Sequence, residues 1–433
     1  MVKLILTLTE RRLKRGYFIE TNNPHPMRIT KINLQRFLDF CKGFALFSSI
    51  KRLSEKPGAR KSNRLIFQFV FLMCVYGKTS FLKMDQAGRL GKQQRLFKIK
   101  RFRNKRYRHT VVSDTTLERR LPEMNVSEIR QISYSGLLEG IDRGLIQPIA
   151  IVDGTQWCGR LYSCLCFVTR WGDVWMVDKE PIEKKGKELL ASQRLIERCC
   201  GIIGKGVIQL LLADMLYFNE RFWQLRECGY VQDILVKYTP GSDELLAEPY
   251  RIVLQRFEEM KALYERSQKS KAEKDKLYRL GFERRDGYDQ QRGVSYSIYR
   301  LRNNSWDNRY QIAQIWERSS TKGAMAPFYV ITTCKSMGPE SLRENGHKRW
   351  YIENDGFKLL NAHLKSKRRW SKDEKLLENL ISIWMLGFSL LCLFRKEYRH
   401  HIRRIYHRVK ETTDFVAELL EKEPFGRVCL DGI

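Results

Sequence analysis

The chain has 433 residues, 43% of them hydrophobic, and carries 80 Lys and Arg against 49 Asp and Glu, a net charge of +31. That length excludes a single compact core and suits about two to four domains. The charge points to a polyanionic partner, nucleic acid before an anionic membrane, with a merely soluble basic protein as the plainer alternative.

The opening "MVKLILTLTERRLKRG" has too short an apolar run before its charges for a good signal peptide. Residues 1–130 read as a basic helical DNA-binding region. "NLQRFLDFCKGFALFSSI" and "RLIFQFVFLMCVYG" carry apolar residues at helical spacing or all round, and the loop "EKPGARKSN" between them offers Ser62 or Asn63 as an N-cap. In "RLFKIKRFRNKRYRH", Lys98, Lys100, Arg101, Arg103, Arg106 and Arg108 interleave with Phe97, Phe102 and Tyr107. Such a run suits a DNA backbone, with a solvated or flexible arm as the alternative. Neither this region nor "LISIWMLGFSLLCLF" near the C-terminus is long enough in apolar residues for a membrane span, so no membrane partner is expected.

From about residue 145 the texture becomes α/β. "LIQPIAIVDG", "SCLCFVTRWG" and "DVWMVD" predict three strands, "KGKELLASQRLIERCCGII" a helix, "VIQLLLAD" a fourth strand, "NERFWQLRECG" a helix and "DILVKY" a fifth strand. Pro240 and Gly241 break this pattern. Residues 240–335 then mix charged helical sequence with the predicted strands "VSYSIYRL", "RYQIAQIW" and "PFYVITTC". Period-two alternation puts Trp316 on one face with Tyr310, Ile312 and Gln314, and so in the core. Trp306 falls in the polar turn "RNNSWDN", where it either stacks on an unpaired base or packs on a neighbouring domain. Residues 336–372 hold "HKRWYIENDGFKLL", and residues 373–433 a greasy helix followed by a basic helical tail. The eleven cysteines show no zinc spacing and read as reduced thiols of a cytosolic protein.

Two acids, Asp153 and Asp214, are expected at the C-terminal ends of apolar strands, where ligands gather in α/β sheets. Each alone also fits a turn cap. On a helix Glu353 shares a face with Arg349, Gly356, Phe357 and Leu360, whereas Asp355 lies on a wetter surface with Tyr351, Lys348 and Lys358. Glu353 thus points along the apolar side, where a carboxylate needs a partner or a metal; a surface pair with Arg349 is the plainer alternative.

The ordered blocks "AIVDGT", "LLLADMLY" and "FYVITTC…HKRWYIENDGFKLL" resemble the three catalytic blocks of the DDE transposases of bacterial insertion sequences, over roughly residues 148–370. The nearest subgroup has a Tyr-Arg-Glu-Lys third block. Arg349 and Glu353 stand at its spacing, but Gly346 replaces its Tyr and Leu360 its Lys, with Lys358 or Lys365 nearby. The resemblance implies an α/β fold: a ribonuclease-H-like mixed sheet with flanking helices, split into residues 145–239 and 336–372 by a β-rich insertion, between helical N- and C-terminal regions. It implies Asp153, Asp214 and Glu353 as catalytic ligands of two Mg2+ ions, with Mn2+ able to substitute, and in-line phosphoryl transfer that cuts insertion-sequence ends and joins them to target DNA. It further implies Arg349 and Lys358 as phosphate contacts, an inserted-domain aromatic such as Trp306 holding a flipped base, and a homodimer on double-stranded DNA in the bacterial cytoplasm, associated with the nucleoid. The alternatives are a domesticated, non-catalytic DNA-binding protein and a hydrolysis-only nuclease of the same fold. No GxGxxG follows the first strand, which argues against a dinucleotide enzyme.

Overall fold

The computed structural model describes residues 32–97, 110–184, 186–239, 248–267, 270–302, 310–321, 323–405 and 413–422. Its strands are β1 (Ile146–Trp157), β2 (Arg160–Thr169), β3 (Val174–Pro181), β4 (Ile208–Asp214), β5 (Val231–Tyr238), β6 (Phe282–Asp289), β7 (Val294–Leu301), β8 (Gln311–Ser319), β9 (Gly323–Ala324) and β10 (Phe328–Thr332). The helices needed below are α1 (Asn63–Val75), α2 (Asp114–Arg120), α3 (Val126–Asp142), α4 (Glu188–Ile203), α5 (Pro339–Lys348), α6 (Lys358–Leu364) and α7 (Glu374–Glu397).

All ten strands join one mixed sheet in the order β3-β2-β1-β4-β5-β10-β8-β7-β6, with β9 paired to β8. β1, β4 and β5 run parallel to one another, and every other pairing is antiparallel. The β-rich stretch after β5 therefore extends the first sheet through β10 rather than closing on itself. The apolar pattern does not announce β6. Its "FERRDGYD" holds few apolar residues because it is the outermost strand, and charges on an edge discourage pairing with other chains.

Apolar strands need cover on both faces. The β3 side is packed by α3, α4 and α7. Contrary to the expectation that "LISIWMLGFSLLCLF" falls short of a span, it lies in α7, the one described helix long and apolar enough to cross a membrane, and α7 is buried inside the protein, against β3 and α1. A charged knot pins β3 between helices: Asp178 accepts from Tyr134 (2.7 Å) and Arg130 (3.1 Å) on α3 and from Arg198 (2.9 Å) on α4. Burial pushes the Asp178 carboxyl up, and the two guanidinium groups more than reverse this, leaving it below its ordinary value. Ser62 caps α1, accepting from Leu65 N at 3.1 Å. The ten described cysteines are all free thiols.

One expectation fails within this sheet. Trp316 is 40% exposed, although Tyr310, Ile312 and Gln314 are buried as expected. The next residue, Glu317, on the opposite face, is buried: Arg343 and His347 of α5 hold its carboxylate at 2.5 and 2.9 Å. The centre of the exposed Trp316 ring lies 5.0 Å from the Lys261 ammonium, and its Nε1 donates to Gln314 Oε1 at 2.8 Å.

Candidate active site

β4 ends on Asp214, whose carboxylate accepts from Leu216 N at 2.9 Å and caps the short turn Met215–Tyr217. Asp153 does not end its strand. β1 runs on to Trp157 because Gly154–Trp157 keep their antiparallel partners on β2. What stops near Asp153 is the parallel pairing with β4, whose last pair is Ile151 with Leu212. The sheet splits there, and the gap receives the carboxylate.

Arg349 caps α5, and the chain then makes a π-helical turn, Ile352–Phe357, before α6. Such turns carry one residue more than an α-turn and re-aim side chains, often at functional sites. From this corner Arg349 Nη2 reaches Asp214 Oδ2 at 3.1 Å and Asp153 Oδ2 at 3.3 Å, while Nη1 donates to Glu353 Oε1. One guanidinium thus gathers all three acids singled out in the sequence. Asp355 faces elsewhere, toward Asp173, Arg395 and Lys396.

Burial dominates the charges here. Asp153 is 8% exposed and its carboxyl is pushed up to about 7; Arg349 opposes this shift, and Asp214 and Glu353 add to it. For Arg349, burial works against the charge and the three carboxylates outweigh it, so its pKa rises. Arg349 Nε is buried without a hydrogen-bond partner among the described residues.

Two functional candidates escape a reading of the sequence. Glu188, in the first turn of α4, holds its carboxyl 2.6–2.8 Å from the place a Cβ on Gly154 would take. Glycine after Asp153 is what admits it. Tyr217 donates to Glu188 Oε1 at 2.8 Å, and Ser192 and Ser163 continue the chain of hydroxyls. Burial raises the Glu188 pKa, with the Tyr217 hydrogen bond opposing. Its only sequence signal is an acid in the first turn of the helix after β3. The second is Lys237, paired in register with Asp214 on β5. Its ammonium lies 4.0 Å from the ring centre of Phe328 and 4.8 Å from that of Trp350. Burial, then Arg349, pulls its pKa down to about 8. A lone Lys inside the apolar run "DILVKY" is its signal.

Two clefts meet at Thr155 and Gln156. One, of about 370 Å3, holds Asp153, Glu188 and Asp214; the other, of about 490 Å3, holds Glu353, Lys358 and Lys367. The donor chemistry, carboxylates without thiol or imidazole, suits a hard cation such as Mg2+. The arrangement does not: the Arg349 guanidinium stands among the carboxylates, and no group of three or more His, Cys, Asp or Glu among the described residues is disposed to hold a metal ion.

Packing accounts for both departures in the third block. A Cβ on Gly346 would come within 2.9 Å of Phe328 and Val330 side chains of β10, so no Tyr fits there. Leu360 is fully buried, a poor place for a Lys. Lys358 is exposed beside the Glu353 cleft, its Nζ donating to Asn354 at 2.6 Å, and Lys365 is exposed just past α6. Lys98, Lys100, Arg101, Arg103, Arg106, Arg108 and Trp306 lie outside the described residues. Compared with known proteins, the chain matches no family model and no curated protein.

Proposed function

We propose that the protein is a DNA phosphoryl transferase of the DDE transposase type, which cuts DNA at the ends of an insertion sequence and joins them to a target. The observation that carries this reading is the meeting of Asp153, Asp214 and Glu353, from β1, β4 and the π-helical turn, around one arginine. The strand order β3-β2-β1-β4-β5, with β1, β4 and β5 parallel, supports a ribonuclease-H-like core. The +31 charge supports a DNA partner. Work on two ends calls for a homodimer on DNA, acting at the bacterial nucleoid.

Arg349 and Lys237 place two cations beside the acids, and Lys358 a third at the Glu353 cleft. Released from the acids, the Arg349 guanidinium can take two oxygens of one phosphate. Mg2+, or Mn2+ in its place, enters this proposal only as the cofactor that oxygen-donor carboxylate chemistry calls for. A non-catalytic DNA-binding protein is the second reading, favoured by the same observation, since Arg349 stands among the acids where a metal would have to sit.

The test is to incubate purified protein with a plasmid carrying this gene and its natural flanks, in Mg2+ and in Ca2+. The proposal expects breaks with 3′-hydroxyl ends at the boundaries in Mg2+ only. Binding to the flanks with no breaks in Mg2+ or Mn2+ selects the second reading.

A further inference from the structure

A second concavity, distant in sequence from the acids, lies in the N-terminal helical region. It has a volume of about 500 Å3 and is lined by the loop 56–61 and by α2 with the turn that follows. Its charged lining is Lys56, Arg60, Lys61, Arg119, Arg120 and Glu123, five cations against one acid. Lys56 (2.8 Å) and Arg120 (3.2 Å) already share Glu123. Arg60, Lys61 and Arg119 have no hydrogen-bonded or ion-paired carboxylate among the described residues, so three positive charges converge without an acid of their own.

Like charges do not gather in a concave site at no cost, and the loop is held in this shape. Glu55 accepts from Asn63 N (2.6 Å), Asn63 Nδ2 donates to Ser54 O (2.7 Å), and buried Arg120 donates to Asn63 Oδ1 (2.7 Å). These bonds fix the loop to the start of α1 and to α2. Gly58, at φ +70° with open space for 4 Å around the place a Cβ would take, leaves the turn bare for close approach. The rest of the lining is Pro57, Ala59 and Thr116. It offers no aromatic ring to stack on a base and no Asn or Gln to read one, so the chemistry suits phosphate and not base edges.

We infer that this pocket grips the phosphate backbone of duplex DNA, independently of sequence, and anchors the N-terminal region on the DNA that the acids process. The inference rests on the DNA reading above, yet its test needs no cleavage.

The full chain is titrated against a fluorescein-labelled random-sequence duplex by anisotropy, across a range of KCl. The triple variant Arg60→Ala, Lys61→Ala, Arg119→Ala leaves Lys56 and Arg120 to hold the loop. A control variant, Lys271→Ala, Lys276→Ala, Arg279→Ala, removes the same charge from the exposed surface of another helix. Loss of three phosphate contacts lowers the slope of log affinity against log salt by about 2.7 and weakens binding by about tenfold or more at low salt. The control keeps at least most of the parent slope. An unchanged slope in the pocket variant, or an equal loss in the control, overturns the inference while the DNA reading stands. ATP competing for the pocket more tightly than the duplex also overturns it, since the site is then a nucleotide site. Failure of the parent protein to bind any duplex overturns both.

Discussion

Arg349 Nη2 lies 3.1 Å from Asp214 Oδ2, although the two residues are 135 positions apart in the chain. The same nitrogen is shared with Asp153, and the neighbouring one with Glu353. An internal cation thus stands where three carboxylates would otherwise repel one another. Arg349→Gln removes it, leaves Asp214 and Glu353 to repel one another and favours the protonated form of Asp153, which destabilises the protein in a chelator. Divalent cation then recovers part of the loss, and Mn2+ binds the variant more tightly than the parent in the absence of DNA. Thermal unfolding in EDTA and in MgCl2, with calorimetric Mn2+ titration, measures both. Equal Mn2+ affinity in parent and variant removes competition between Arg349 and a metal.

On the proposed function, Asp153→Asn, Asp214→Asn and Glu353→Gln each lower Mg2+-dependent cleavage by about a hundredfold or more, since each changes a group at the proposed reacting centre. Binding of the same DNA stays within about threefold, because affinity rests on cation–phosphate contacts. Asp355→Asn cuts normally, as its carboxyl faces Asp173, Arg395 and Lys396 instead. A dead Asp355→Asn with an active Glu353→Gln assigns the wrong acid. Cleavage and gel-shift assays on one flanking fragment give both numbers.

Stability should depend on pH through Asp153. Its folded pKa, about 7, is raised above the ordinary 3.8. The folded state therefore holds a proton that the unfolded state has lost between these values, and stability falls as pH rises through that window. Asp153→Asn abolishes this loss. Its gain over the parent grows from about pH 4 to about pH 7 and is level above, reaching a few kcal/mol. Urea midpoints of the two proteins across that range check it; a constant difference disproves the raised pKa.

Gly154 and Glu188 should couple. A methyl at position 154 comes within 2.6–2.8 Å of the Glu188 carboxyl, the far end of a flexible side chain, so Gly154→Ala displaces that carboxyl from Tyr217 at a cost of about 1 kcal/mol, one hydrogen bond. In the Glu188→Ala background the same substitution has space, and its penalty largely disappears. A double-mutant cycle by urea unfolding measures the coupling. Additive penalties would mean that the two side chains do not meet.

The sequence by itself determined the strand and helix order of residues 146–238, because apolar runs between turn residues report burial locally. It also named Asp153, Asp214, Glu353 and Arg349, since their types and order are written along the chain. It could not reveal Glu188 under Gly154, Lys237 between Phe328 and Trp350, or the central place of Arg349, because each is a meeting of side chains from separate elements. The burial of Glu317, a carboxylate inside the sheet, has the same origin: α5 brings Arg343 to β8 and partners it. Local pattern decides which elements form. Only tertiary packing decides which charges face one another, since that depends on distances through space and not along the chain.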